Sequence, residues 1–186
     1  MKDNISCDTS CRRPPVPAHP APQVAGPMLS GVAPRSTVGS MTPDELRERI
    51  LRREDPQTDF KQAIGANLDL AKDLVCFANG DGGQIVVGVA KDRTVVGVPD
   101  PDALLLRVDD VAFHSCSPPV TVAPEIVDLD GKNVVVLNVA KGDQRPYSTR
   151  DGQYYVRSGA RCRSASREEL LRLFRATHTL FSTGCR

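Results

Sequence analysis

An α+β fold is predicted by three features of the sequence. Two segments open with helix-capping chemistry and continue with apolar residues at helical spacing. Several runs rich in β-branched residues alternate as strands and meet at tight turns. A leading stretch rich in proline belongs to neither kind. At 186 residues with 40% hydrophobic content, the length suits one domain with a sizeable core and a tail. The expected organisation is a disordered Pro/Ala-rich tail over 1–40, one domain with a mixed sheet packed by helices over 41–180, and a short tail over 181–186.

In the leading segment, Pro14, Pro15, Pro17, Pro20, Pro22, Pro27 and Pro34 preclude a regular helix or central strand, since each fixes φ and removes a donor. Thr42 then reads as an N-cap, with Pro43 in the first helical position and Glu45 completing a capping box. The helix runs to about Arg53, with Leu46, Ile50 and Leu51 at helical spacing and Arg47, Glu48, Arg49, Arg52 and Arg53 on a solvated face. Thr58 to Gln62 reads as a strand whose alternation sends Asp59 and Lys61 one way and Phe60 the other. A second helix starts at Asn67 as its cap, carries Leu68, Leu70, Ala71, Leu74, Val75, Phe77 and Ala78, and stops at Asn79-Gly80.

Gly82 and Gly83 turn the chain into a strand over Gln84 to Ala90, paired as a hairpin with Thr94 to Val98. A helix over Asp102 to Phe113 follows, ended by Pro118-Pro119. Val120 to Val127 and Asn133 to Val139 form a hairpin through Asp128-Leu129-Asp130-Gly131. Gln153 to Arg157 is a last short strand. Ser166 caps the final helix, with Glu169 three residues on, ahead of Leu170, Leu171, Leu173 and Phe174.

Net charge is +1, so a polyanionic partner requires local concentration of charge. That concentration is present. From Arg145 to Arg167 stand Arg145, Arg150, Arg157, Arg161, Arg163 and Arg167 against Asp151 alone, whereas Asp102, Asp109, Asp110, Glu125, Asp128 and Asp130 precede them with only Arg107 and Lys132. Guanidinium groups suit bidentate contact with phosphate; the bland alternative is a solvated charge run facing the acidic part of the same molecule. Aromatic content is 4% with no Trp, leaving Tyr147, Tyr154 and Tyr155 as nearly all the candidates for base stacking.

Six cysteines, Cys7, Cys11, Cys76, Cys116, Cys162 and Cys185, lack the short paired spacings of a structural zinc site or a small disulfide scaffold. They read as thiols in a reducing, cytoplasmic setting. Cys7, Cys11 and His19 read as tail residues rather than a metal site, and His114 and His178 as helix-end histidines rather than ligands. No run has the roughly 20 apolar residues that span a bilayer, so no membrane partner is expected. Gly80-Asp81-Gly82-Gly83 precedes a strand, not a helix, and lacks a Gly-Lys-Ser/Thr ending; it is a turn rather than a nucleotide cradle.

Three blocks together resemble the Schlafen AlbA_2 domain: Asp59-Phe60-Lys61, then Phe77-Ala78-Asn79 with Gly82-Gly83, then Tyr154-Tyr155-Val156-Arg157-Ser158-Gly159. The likeness covers roughly Glu54 to Phe174. It implies a nucleic-acid-binding domain that in some relatives is a metal-dependent ribonuclease. Asp59 stands where the family more often has Glu; Glu54, five residues earlier, matches a second family acid, and Asp92 a third. If these acids converge, Glu54, Asp59 and Asp92 would be catalytic and hold Mg²⁺ or Mn²⁺; otherwise Asp59 and Lys61 are a surface pair and the other two are turn residues.

The resulting expectation is DNA or RNA binding to the phosphate backbone by Lys61, Arg145, Arg150, Arg157, Arg161 and Arg163, in a role such as transcriptional regulation. Such binding needs no cofactor. The reading leaves room for a homodimer. The alternatives are a divalent-metal-dependent endoribonuclease and a protein-interaction adaptor acting through the Pro-rich tail.

Overall fold

The computed structural model describes residues 41–52 and 55–178; the expected tails, Glu54, Cys7, Cys11, His19 and Cys185 lie outside them. Helix α1 spans Pro43–Leu51, and its capping box is formed: the Thr42 hydroxyl accepts from the Glu45 amide, and the Glu45 carboxylate accepts from the Thr42 amide. Strand β1 (Thr58–Lys61) leads into α2 (Asn67–Asn79) and β2 (Gly83–Val87). α3 covers Pro101–His114 and is capped by Asp100, whose side chain accepts from the Ala103 amide. Short β3 (Cys116–Ser117) pairs with β6 (Ser148–Thr149), and β4 (Val122–Leu129) forms a hairpin with β5 (Lys132–Val139). β7 (Tyr155–Ser158) pairs with β8 (Arg161–Ser164), and α4 (Arg167–His178) follows.

The main sheet has the order β1-β2-β5-β4, with β1 parallel to β2 and the other neighbours antiparallel. Alternation along its strands supplies two cores. Ile85, Val87, Val135, Leu137 and Val139 meet Leu70, Leu74 and Phe77 of α2 and Leu104, Val108 and Val111 of α3. Val86, Val134 and Val136 point the other way and join Phe60, Val127 and Leu129 against Leu46 and Ile50 of α1.

Three sequence expectations require correction. Thr94 to Val98 does not form the second strand of a hairpin with β2. Both edges of β2 are occupied, by β1 and β5, so pairing is confined to the residues beyond it: Val89 bridges Val95, the Ala90 amide donates to Thr94 O, and the Val96 and Gly97 amides donate to Gly88 O. The chain turns away at Gly88 (φ 105°), where the backbone of Gly97 passes within 3.2 Å of the space a Cβ would fill. Asn67 is not the cap of α2; Ala66 is, and the Asn67 side chain instead accepts from Arg107 Nε at 2.7 Å. Cys76 and Cys162 are not separate thiols but form a disulfide across 86 positions, while Cys116 is a buried free thiol whose pKa burial pushes up to about 12.

Candidate nucleic-acid interface

The Asp59-Phe60-Lys61 strand displays its side chains as alternation requires. Phe60 is buried, and Asp59 and Lys61 are half-buried on the other face. Lys61 Nζ lies 3.2 Å from the Asp59 carboxylate and 2.7 Å from that of Asp73 on α2. Burial alone would lower the Lys61 pKa, but the Asp73 carboxylate, with Asp59, outweighs it and holds the ammonium charged. Burial pushes the Asp73 carboxyl up against the opposing pull of Lys61. Asp73 occupies an inward position of α2 between Leu70 and Leu74. A carboxylate among apolar positions at helical spacing is the signal by which sequence could have found it.

A cavity of about 700 Å³ opens beside this pair, lined by Lys61, Lys72, Lys91, Asp69, Asp73 and Asp92 among others. Asp92 is exposed, and its carboxylate accepts from the Thr94 amide of its own turn, which holds its pKa below the usual range. Among the described residues no group of three His, Cys, Asp or Glu side chains is placed to hold a metal. The cation shared by Asp59 and Asp73 among the described residues is the Lys61 ammonium. Glu54 lies outside them.

The expected phosphate-binding arginines divide by environment. Arg157, in the Tyr-Tyr-Val-Arg motif, is a fastener: Nε donates to Pro56 O at 2.7 Å, Nη2 to Thr58 O at 3.3 Å, and the guanidinium packs 4.3 Å over the Phe77 ring. It ties β7 to the entry of β1 and to α2. Arg163 is bound on both nitrogens by Glu169, at 2.6 and 2.8 Å. Arg145 is half-buried, with an Nε that has no hydrogen-bond partner.

Arg150 and Arg161 are exposed. Neither meets a carboxylate among the described residues. Arg150 is located by its amide, which donates to Ser115 O beyond α3. In β8, Arg161 and Arg163 lie two apart and so project on one face, while Cys162 points the opposite way, to α2. Of the candidates for stacking, Tyr147 is buried and Tyr155 lies under Lys72.

Asn79 organises this end of the molecule. Its side chain donates to Tyr147 O and Tyr155 O and accepts from the Tyr147 amide, all within 2.9 Å. It thereby joins the end of α2 to β7 and to the segment before β6.

Among the solved structures to which the chain is similar are the following two. The DIP2311 protein of Corynebacterium diphtheriae matches with 23% identity and a TM-score of 0.49, over 66% of this chain and 24% of that one. The N-terminal domain of an ATP-dependent DNA helicase RecG-related protein of Nitrosomonas europaea matches with 19% identity and a TM-score of 0.49, over 59% of this chain and 80% of that one. The chain thus spans about a quarter of the Corynebacterium protein. No curated protein matches it. The Schlafen, AlbA_2 family model matches residues 54–166, a span that holds the Asp59-Phe60-Lys61 strand, the Asn79 junction and the Arg157 fastener; the chain belongs to that family.

Proposed function

We propose that this domain binds nucleic acid, DNA or RNA, through the phosphate backbone, using exposed arginines of its last third. The observation that carries the reading is that Arg150 and Arg161 are exposed without a carboxylate partner among the described residues, in a segment whose sequence holds six arginines and one acid. Arg163 joins them when phosphate displaces Glu169. Arg145 and Lys61 are assigned no phosphate contact, since the Arg145 Nε is buried and the Lys61 ammonium stands between the Asp59 and Asp73 carboxylates. Backbone contact of this kind positions a protein without reading bases. It also leaves open whether the role is that of a DNA-binding regulator or of an RNA-binding module.

Fluorescence anisotropy with a short duplex and a structured RNA, at two salt concentrations, tests the proposal. Affinity should fall as salt rises, because each neutralised phosphate releases condensed counterions. Arg161→Ala or Arg150→Ala should each reduce the salt slope by about 1 on the preferred ligand. Salt-independent binding, or none to either ligand, would reject it. Arg157→Ala should instead destabilise the fold. For the endoribonuclease alternative, Mn²⁺ and structured RNA should show no cleavage that Asp59→Ala removes.

A further inference from the structure

We infer that Cys162 and Cys76 form a redox-active pair whose substrate is a small disulfide, with Cys162 as the reacting thiol and Cys76 as the resolving one. The two residues differ in exposure and in the charge beside them, both of which govern thiol exchange. Cys162 is half-exposed on β8, and Arg157, opposite it in the β7–β8 register, places a guanidinium nitrogen 4.0 Å from its sulfur. A neighbouring cation favours the thiolate, which is the nucleophile. Cys76 is fully buried in the last turn of α2, where the carbonyl end of the helix disfavours negative charge. Their Cα atoms are 6.0 Å apart, within the range that a disulfide bridges without moving the backbone.

The sequence of steps balances. The Cys162 thiol loses its proton and attacks a sulfur of glutathione disulfide. The glutathione S–S bond breaks, and one glutathione leaves as a thiolate that takes up a proton. The Cys76 thiol, deprotonated in turn, attacks Cys162 Sγ of the mixed disulfide and expels the second glutathione. Two protein thiols are oxidised and one small disulfide is reduced to two thiols.

The bond has a mechanical consequence. β7 is anchored by buried Val156, by Asn79 and by the contacts of Arg157, but Arg161, Arg163 and Ser164 of β8 are exposed and only Cys162 turns inward. Oxidation therefore fixes β8, with Arg161 and Arg163, to α2.

The test uses the full chain, reduced, then treated with glutathione disulfide, acid-quenched, alkylated and peptide-mapped by mass spectrometry. Wild type should yield a Cys76–Cys162 cross-linked peptide. Cys76→Ala should accumulate a glutathione adduct on Cys162, and Cys162→Ser should leave Cys76 unmodified while folded. Hydrogen exchange should show that amides of 161–164 lose protection on reduction while those of α2 keep theirs. Adducts on Cys76 at the rate of Cys162, absence of reaction at Cys162 in Cys76→Ala, or exchange of β8 indifferent to redox state would each overturn the inference. None of these readouts involves nucleic acid, so their outcome is independent of the proposed function.

Discussion

At the scale of single residues, charge in this domain is decided by partners. Asp73 and Lys61 are both largely withdrawn from water, with side chains 13% and 28% exposed. Lys61 also meets Asp59, so Asp73→Asn leaves the ammonium one carboxylate, whereas Lys61→Met leaves the buried Asp73 without its ion-pair partner. Lys61→Met should therefore lower stability by about 1–3 kcal/mol at neutral pH, whereas the paired replacement Lys61→Met with Asp73→Leu should recover much of the loss. Urea denaturation of the two variants checks this, and equal losses would show that the pair is not coupled.

Glu169 gives a pH signature. Hydrogen bonds from Arg163, then from the Ser166 amide, depress its pKa from 4.5 to about 2. A depressed carboxyl stabilises the fold above its unfolded value and loses that contribution as pH falls through the folded one. Amide protection of α4 should thus decline between about pH 4.5 and 2, and Glu169→Gln should already show the acid-state protection at pH 6. Sequence could list Asp59, Lys61 and the arginines by type. It could not say that Arg157 would be fastened to the carbonyls of Pro56 and Thr58, a hundred positions earlier, because those partners exist only after β7 docks.

At the scale of elements, legibility follows locality. α1 and the start of α4 were readable because capping boxes act within four residues: Thr42 with Glu45, and Ser166 with Glu169. The β4–β5 hairpin was readable from Asp128-Leu129-Asp130-Gly131, although the turn itself is narrower: β4 continues to Leu129, and Asp130 and Gly131 alone turn the chain at positive φ (57° and 78°). β8 was missed because Arg-Cys-Arg-Ser has no apolar alternation; a disulfide and strand pairing hold it. Thr94 to Val98 shows the opposite case: it alternates locally, but β2 has no open edge, so it pairs only with Gly88 to Ala90 across the turn.

Gly83 tests the junction of α2 and β2. A Cβ there would lie 2.4 Å from a Phe77 ring carbon and 2.5 Å from Gln57 O. Overpacking typically costs about 1–3 kcal/mol. Gly83→Ala should reach or exceed that, because the Gln57 carbonyl also accepts the Gln84 amide that begins the β1–β2 pairing. Gly131→Ala, where nothing lies within 4 Å, serves as the comparison: it feels only the strain of positive φ, so its thermal midpoint should fall less.

At the scale of the whole molecule, one four-stranded sheet serves two apolar layers. The α+β class was legible because helices and strands differ in period, but the assignment of each strand face was not, since it depends on which helix arrives on which side. Successive residues of β2 divide the work: Ile85 and Val87 face α2 and α3, and Val86 faces α1. Neither layer can lose its packing without loosening strands the other uses, so the domain should unfold in one step. Leu46 makes this testable, being fully buried on α1 and seated against the smaller layer. Leu46→Ala should cost about 2–5 kcal/mol through the cavity it leaves. Tyr147, whose ring is buried in the α2–α3 layer, reports on the far side of the sheet. Tyrosine fluorescence and far-UV ellipticity should shift to a lower urea midpoint together. A drop in ellipticity that precedes the tyrosine change would show instead that the α1 layer melts alone and that the sheet does not couple its two faces.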